Sequence, residues 1–510
     1  MVDSDTDGEP LATGFSSLVT ARQRFEVERG PVGKGEQEII AMKQGEKQQD
    51  SQNPSELLRE LKAGFESGIT RPYSWRRAQL RMLRRFLNEH EQDIYDALHS
   101  DFRKPRAETF FTEIHYLTTE INFALGHLKA WMKPRRVFTP LRYRPGRSYY
   151  YPEPYGVVLV IGAWNYPLQL AIAPAVNAIA AGNCVLVKPS EQSPATAELI
   201  ADGFRQYLDE KAVKVLLGSV EESSRLLEEP FDYIFFTGGN KAGKQVMGRA
   251  AEHLTPVTLE LGGKNPCVVD QSANIPVAAR RIVWAKFLNA GQTCIAPDYV
   301  LVHRDVEDEL LGCMKEAIDA FYGSDPSCSS DFPAIITASR LEKIAEYLND
   351  GIVVSGGAVD LERRYCSPTI LRNVSPDSRV MQEEIFGPVL PVLCYAAPEE
   401  AVGIIRSVRH PLAVYIFSRD HSFQRYMLEN TRSGGVCIND LMFQAAIPSL
   451  PFGGVGESGM GVYHGRAGFE TFSRPRSVHV KSTFPENVLR YPPFDEIKFR
   501  WLRRLFRLFP

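Results

Sequence analysis

Between Pro154 and Val187 the chain carries no charged side chain, a run longer than the roughly 20 residues a membrane-spanning helix needs. Gly156, Gly162, Pro167, Pro174 and Gly182 interrupt it, and Asn165, Asn177 and Asn183 place amides within it. In hydrocarbon those polar groups would lack partners. The pattern therefore predicts a strand (Val157–Ile161), a turn, a helix (Leu168–Ala181) and a second strand (Cys184–Val187), all buried. Parallel strands covered by helices on both faces produce continuous apolar runs of this kind.

Elsewhere the periodicity is helical or alternates between the two types. Pro54 opens a helical period in SELLRELKAGFESG, and WRRAQLRMLRRFLNEHEQDIYDALHSDF repeats apolar residues at spacings of three and four. That is the stripe of a surface helix, with the arginines on its solvated face. Residues 134–155 mix Pro, Arg and Tyr in strand-like alternation and predict an arm or linker outside the core. From residue 156 onward, candidate strands at 157–161, 184–187, 213–217, 233–236, 257–260, 299–303, 389–393 and 413–417 are separated by helical patterns such as Asn240–His253, Pro276–Asn289 and Val306–Tyr322. This alternation predicts an α/β fold with mostly parallel sheets. Residues 1–53 are rich in Gln, Glu, Ser, Gly and Lys and predict a flexible leader. The acidic start MVDSDTDGEP lacks the basic and apolar regions of a signal peptide.

A chain of 510 residues exceeds one simple core, so two or three domains are expected. The formal net charge of -3 gives no electrostatic reason to expect nucleic acid as a partner. The eight cysteines are scattered, without a CxxC pair or zinc-like spacing. They predict a reducing, cytoplasmic setting, with most of them serving as small buried apolar residues.

Three segments carry candidate chemistry. FFTGGNKAGKQVMG follows the strand at Tyr233–Phe236 and opens a helix, with Gly238 and Gly243 five apart. Small residues at a helix start let backbone N–H groups meet a phosphate, although the spacing is neither the dinucleotide fingerprint nor a Walker loop. VTLELGGKNP ends a strand on Glu260, a carboxylate that is costly to bury without a partner or a task. FLNAGQTCIAP sets Cys294 in a loop beside Gly291 and Thr293, where a thiol is less suited to packing than its seven counterparts. On the residues alone, a structural ion pair for Glu260 and an inert thiol at Cys294 stand as even alternatives.

Taken together with IGAWNYPLQL, LVKPSE, MQEEIFGPV and LPFGGVGESGMGVYHG, these segments resemble the aldehyde dehydrogenase superfamily over about residues 55–482. The similarity is greatest to its class 3 branch, which includes fatty aldehyde dehydrogenases. The 34-residue separation of Glu260 and Cys294 suits the resemblance. It implies that Cys294 is the nucleophile, that the Asn165 amide and the Cys294 backbone N–H hold the oxyanion, and that Glu260 is the base for thioester hydrolysis. It also implies that Lys188 and Glu191 lie near the adenosine ribose, Gly238 to Gly243 by the pyrophosphate, and Glu384 and Phe386 at the nicotinamide ribose and ring. NAD is the implied cofactor, with NADP possible, and no step calls for a metal.

The implied architecture has a Rossmann-type cofactor domain (54–131 and 156–259), an α/β catalytic domain (260–474) and a bridging arm (132–155 and 475–487) that joins a homodimer. The tail at 488–510 reads as an amphipathic helix. Glu496, Arg500, Arg503, Arg504 and Arg507 share one face, and Phe494, Ile497, Trp501, Leu505 and Leu508 share the other. Peripheral contact with a membrane surface and packing on protein are equal alternatives for it. The expected reaction is oxidation of a medium- or long-chain aliphatic or aromatic aldehyde to its acid. A specialised semialdehyde or aryl-aldehyde enzyme, and a non-catalytic binding protein on the same fold, are the alternatives.

Overall fold

The computed structural model describes residues 53–508 apart from 409, 485 and 487, so the predicted leader, except for Asn53, lies outside the described residues. Asn53 caps the first helix, Pro54–Glu66, by accepting the Ser55 N–H at 3.1 Å. The uncharged run folds as strand Val157–Ile161, helix Pro167–Ala181 and strand Cys184–Lys188. The helix starts on Pro167, where the missing N–H costs nothing. The amides that argued against a membrane span find partners inside the protein. Asn177 donates to Glu120 Oε1 at 2.8 Å, and Asn183 donates to the carbonyls of Ala178 and Phe472 at 3.1 and 2.9 Å. No helix among the described residues is long and apolar enough to cross a membrane.

Two sheets organise the chain. The first has six strands in the spatial order Gly459–Met460, Val257–Glu260, Tyr233–Thr237, Val157–Ile161, Cys184–Lys188 and Val213–Val215. All its neighbours are parallel except the short Gly459–Met460 strand, which sets Gly459 opposite Glu260. The second has seven strands in the order Ile352–Ser355, Thr369–Arg372, Val389–Tyr395, Tyr299–His303, Pro266–Val269, Ala413–Phe417 and Gly435–Ile438. Only its edge strand Ile352–Ser355 runs antiparallel. Each sheet carries its own apolar core, and Phe452 packs against both. A separate antiparallel sheet joins Arg135–Val137, Gly146–Pro154 and Ser473–Lys481. The strand-like alternation of the arm is therefore real pairing, closed by a strand more than 300 residues later in the chain.

Two expectations need correction. The strands Pro266–Val269, Ile352–Ser355, Thr369–Arg372 and Gly435–Ile438 escaped the pattern reading; a four-residue run carries little periodicity of its own, although the equally short Val257–Glu260 was found. The cysteines are also less buried than expected. Cys184, Cys267 and Cys366 are buried, Cys294, Cys313 and Cys437 are half-buried, and Cys328 and Cys394 are exposed, all with free thiols. Among them, Cys394 lies on a core strand with its side chain on the solvated face, so apolar neighbours in sequence did not ensure burial.

Candidate active site

Strand ends and turns from both sheets converge on Cys294. Glu260 closes the strand Val257–Glu260 and is buried, and neither carboxyl oxygen has a protein hydrogen-bond partner. Burial alone holds that carboxyl well above the usual carboxylate range. Asn165 sits in the turn between Ile161 and Pro167, and its side-chain amide donates to the Gln292 carbonyl at 3.1 Å. An amide carries two N–H bonds, so one remains for the cleft that Asn165 lines with Cys294. The Cys294 loop is anchored from below, where buried Asn265 donates to the carbonyls of Cys294 at 2.7 Å and Ala296 at 3.0 Å.

The thiol of Cys294 is pushed up to about 12, first by burial, then by Glu384 and Glu260; the backbone amides of Cys294 and Ile295 oppose this. No cationic side chain contributes among its causes. In this state the thiol is protonated, and a positive group entering the cleft would favour the thiolate.

On one side of Cys294 lies a cleft of roughly 310 Å³ lined by Trp164, Gly238, Glu260, Arg340, Glu384 and Phe386 among others. Glu384 accepts the Gly263 N–H at 3.3 Å, and its carboxyl is raised to about 7, first by burial and then by Asp298. Asp298 in turn accepts the Ile385 N–H at 3.2 Å, and Arg340 donates to the carbonyls of Glu384 and Ile385. These bonds hold Phe386 in the left-handed region (φ 47°), with its ring edge-on to Trp164 at 5.4 Å. The strain is local to a residue facing the cleft.

Lys188, Glu191 and Gly243 are not among the residues lining that cleft. Lys188 ends its strand, bonded to the Pro189 carbonyl at 2.9 Å and 3.5 Å from the partly exposed Glu191. Gly243 is buried in the first turn of helix Asn240–Glu252, where an added Cβ would lie 2.7 Å from Leu261. It permits close helix–strand packing, while Gly238 faces the cleft. That helix has no side-chain cap at its N-terminus, so its first amides are free for an anion.

The other side of Cys294 opens into a cavity of roughly 380 Å³, walled by Phe111, Tyr116, Trp284, Phe443, Phe452 and His464 among others. Phe111 stands on a π-helical turn, Phe110–Ile114, that widens the helix leading into His115–Trp131 and leaves Phe110 and Phe111 exposed, Phe111 on the cavity wall. Tyr116 Oη bonds His464 Nε2 at 2.5 Å, and burial lowers His464 to about 3, so the ring is neutral. Cys294 is the residue shared by the two linings.

The combination of a buried thiol, an unpartnered carboxyl, an oriented amide and two spaces meeting at sulfur suits covalent chemistry on a small electrophile beside a bound cofactor. Arg340, Trp164, Tyr116, Trp284, Phe443 and His464 were not singled out from sequence. Trp164 and His464 offered a signal, since they lie in the motif segments IGAWNYPLQL and LPFGGVGESGMGVYHG; the rest come from segments outside those motifs.

Comparison with known proteins agrees. A model of the aldehyde dehydrogenase family matches residues 40–478. The mouse "Aldehyde dehydrogenase, dimeric NADP-preferring" is 45% identical, over 86% of this chain and 98% of its own. The rat "Aldehyde dehydrogenase family 3 member A2" is 44% identical, over 87% and 92%. The human "Aldehyde dehydrogenase family 3 member B1" is also 44% identical, over 88% and 96%. Among solved structures, substrate-bound Staphylococcus aureus AldH superposes with a TM-score of 0.86 at 42% identity, covering 88% of this chain and 99% of that one. A variant of Pseudomonas syringae indole-3-acetaldehyde dehydrogenase solved with NAD+ gives 0.76 at 27%, covering 85% and 90%.

The chain belongs to the aldehyde dehydrogenase family and oxidises aldehydes to carboxylic acids with NAD(P). Within that family it falls in the class 3 branch, as its motifs implied.

Proposed function

We propose that Cys294, as the thiolate left when its proton passes to water in the cleft, attacks the aldehyde carbon through Sγ, with the free N–H of Asn165 and the Cys294 backbone N–H receiving the developing oxyanion. Bound NAD(P) supplies the hydride acceptor, and loss of hydride from the adduct leaves a thioester on Sγ. Glu260 then takes a proton from water, the oxygen adds to the thioester carbon, and the acid leaves as the thiol is regenerated. The observation that carries this reading is the meeting of cleft and cavity at Cys294. Glu260 suits the base, because a carboxyl without hydrogen-bond partners has a raised proton affinity.

For the cofactor, the uncapped start of helix Asn240–Glu252 and Gly238 suit the pyrophosphate, with Gly243 allowing the helix to pack closely behind them. Glu384 and Phe386 suit the nicotinamide ribose and ring, and Lys188 with Glu191 the adenosine ribose. A carboxylate at a ribose 2′-hydroxyl favours NAD; Lys188 at 3.5 Å offsets that charge, which fits use of NADP as well. The unit 54–131 with 156–259, which supplies five of the six strands of the first sheet, is the cofactor domain in this reading, and 260–474 carries catalysis.

The favoured substrate is a medium- or long-chain aliphatic or an aromatic aldehyde, because the cavity wall is largely apolar and aromatic. The three-stranded arm leaves the outer edge of Ser473–Lys481 without a strand partner among the described residues and exposes Phe138 and Leu141, which suits a second copy of the chain. In the tail, helix Glu496–Leu508 exposes Ile497 and Trp501 beside its arginines, which suits peripheral contact with a membrane from the cytoplasmic side.

A chain-length series with NAD and NADP tests the reading. NADH or NADPH formation should vanish in Cys294→Ser, and hexadecanal should give a higher kcat/KM than acetaldehyde. Equal values for hexadecanal, acetaldehyde and benzaldehyde would remove the chain-length assignment; full activity in Cys294→Ser would remove the mechanism.

A further inference from the structure

Three consecutive residues ahead of the Cys294 loop, Asn289, Ala290 and Gly291, adopt positive φ (54°, 50° and 73°). A left-handed run of this kind is unfavourable for L-residues and persists only where side chains hold it. Here two amides hold it. Buried Gln292 donates through Nε2 to the carbonyls of Asn289 at 3.0 Å and Ala334 at 3.1 Å, and accepts the Ile336 N–H at 2.9 Å through Oε1. Buried Asn289 donates through Nδ2 to the carbonyls of Asn165 at 2.8 Å and Gln292 at 3.1 Å. The Gln292 carbonyl thus receives two amides, that of Asn289 and that of Asn165 itself.

This geometry sets the plane of the Asn165 amide from the cysteine loop. With one N–H fixed on the Gln292 carbonyl, the direction of the second is no longer free. The atom doing the fixing lies two residues before the nucleophile, so donor and sulfur share one rigid frame.

We infer that Gln292 and Asn289 are positioning residues for the oxyanion site: their side chains lock the left-handed turn, and the locked Gln292 carbonyl aims the Asn165 N–H at the carbon–oxygen bond that Cys294 attacks. The inference rests on the proposed roles of Cys294 and Asn165. Neither positioning residue touches the reacting atoms.

The test is a double-mutant cycle on the full chain, with iodoacetamide alkylation of Cys294 as a gauge that the loop is intact. Gln292→Met keeps side-chain volume but removes the amide. It should lower kcat by roughly 100-fold, the cost of a displaced oxyanion donor, with KM and alkylation rate within about threefold of wild type. Asn165→Ala should lower kcat at least as far. The combination should be no worse than Asn165→Ala alone within about threefold, because both act through one N–H. Asn289→Asp tolerates positive φ while losing its donors, and serves if Gln292→Met does not fold; it should couple to Asn165→Ala in the same way. Multiplying effects in the cycle, or a loss of kcat matched by a loss of alkylation, would overturn the inference and leave a merely structural turn. Wild-type kcat in Asn165→Ala, by contrast, would remove the oxyanion role of Asn165, and the inference with it.

Discussion

The two spaces that meet at Cys294 are of similar size, roughly 310 and 380 Å³, and opposite in character. The first side, assigned to the cofactor in the proposed reading, holds two carboxyls, buried Glu260 and half-buried Glu384, and its one basic lining residue, Arg340, donates through Nη2 to two backbone carbonyls. The other side is walled by aromatic rings, and burial keeps its His464 ring neutral. In the proposed mechanism, charge on the first side sets when the thiol reacts, and shape on the second sets what it reacts with. The difference follows from origin: the carboxyls sit at strand ends and loops of the two sheets, whereas the aromatic wall comes from helices and from chain between sheets.

The largest expected effect breaks the polar side. Glu260→Gln should lower steady-state turnover by roughly 10²–10⁴-fold while the first turnover still forms about one equivalent of NADH per site, read by stopped flow. No such burst would show that Glu260 is not the deacylation base.

Next in size is the charge on Glu384. Its folded carboxyl is raised to about 7 from the ordinary 4.5, so stability is fully present below about pH 4.5 and is lost as pH rises through 7. The loss approaches about 3 kcal/mol, since each tenfold rise in proton affinity on folding is worth about 1.4 kcal/mol. Glu384→Gln, neutral at all pH values, should therefore be more stable than wild type to urea at pH 8 and nearly equal at pH 5. A difference independent of pH would show that the carboxyl is not buried as described.

Smaller effects sharpen the apolar side. Trp284 stacks on Phe443 at 5.9 Å, and Trp284→Ala should cost about tenfold in kcat/KM for hexadecanal, the order of a lost hydrophobic contact, with less change for acetaldehyde. A uniform loss across chain lengths would place the ring outside the chain-binding path. Smallest for catalysis is removal of the tail after about residue 485. Activity on short aldehydes should stay within about twofold, by extension of the near-neutral effect of distant surface changes. Flotation with anionic vesicles should drop, and equal flotation of full and shortened chains would mean that the helix packs on protein.

Much of this was legible in the residues. The uncharged run from Pro154 to Val187 declared strand, turn, helix and strand because its glycines, prolines and asparagines would be insupportable in lipid. Glu260 at a strand end and Cys294 in a small-residue loop stood out because each residue type was costly or unusual where it lay. Four short strands, Pro266–Val269, Ile352–Ser355, Thr369–Arg372 and Gly435–Ile438, were not legible, since pairing with neighbours is what makes such segments strands; the equally short Val257–Glu260 was legible. The cavity wall was not legible either: Tyr116 and His464 are 348 positions apart and meet through one 2.5 Å bond.

By itself the sequence determined the class of fold and the family, and through that resemblance it singled out Cys294, Glu260 and Asn165 as the candidates for nucleophile, base and amide, because those readings depend on local patterns and on residue chemistry. Tertiary structure alone decided that the amides of Asn165 and Asn289 share the Gln292 carbonyl, that Gly243 packs against Leu261, and that the carboxyls and the rings fall on opposite sides of Cys294. Those are relations between segments brought together by two sheets, and no local pattern encodes the distance between segments that meet only after folding.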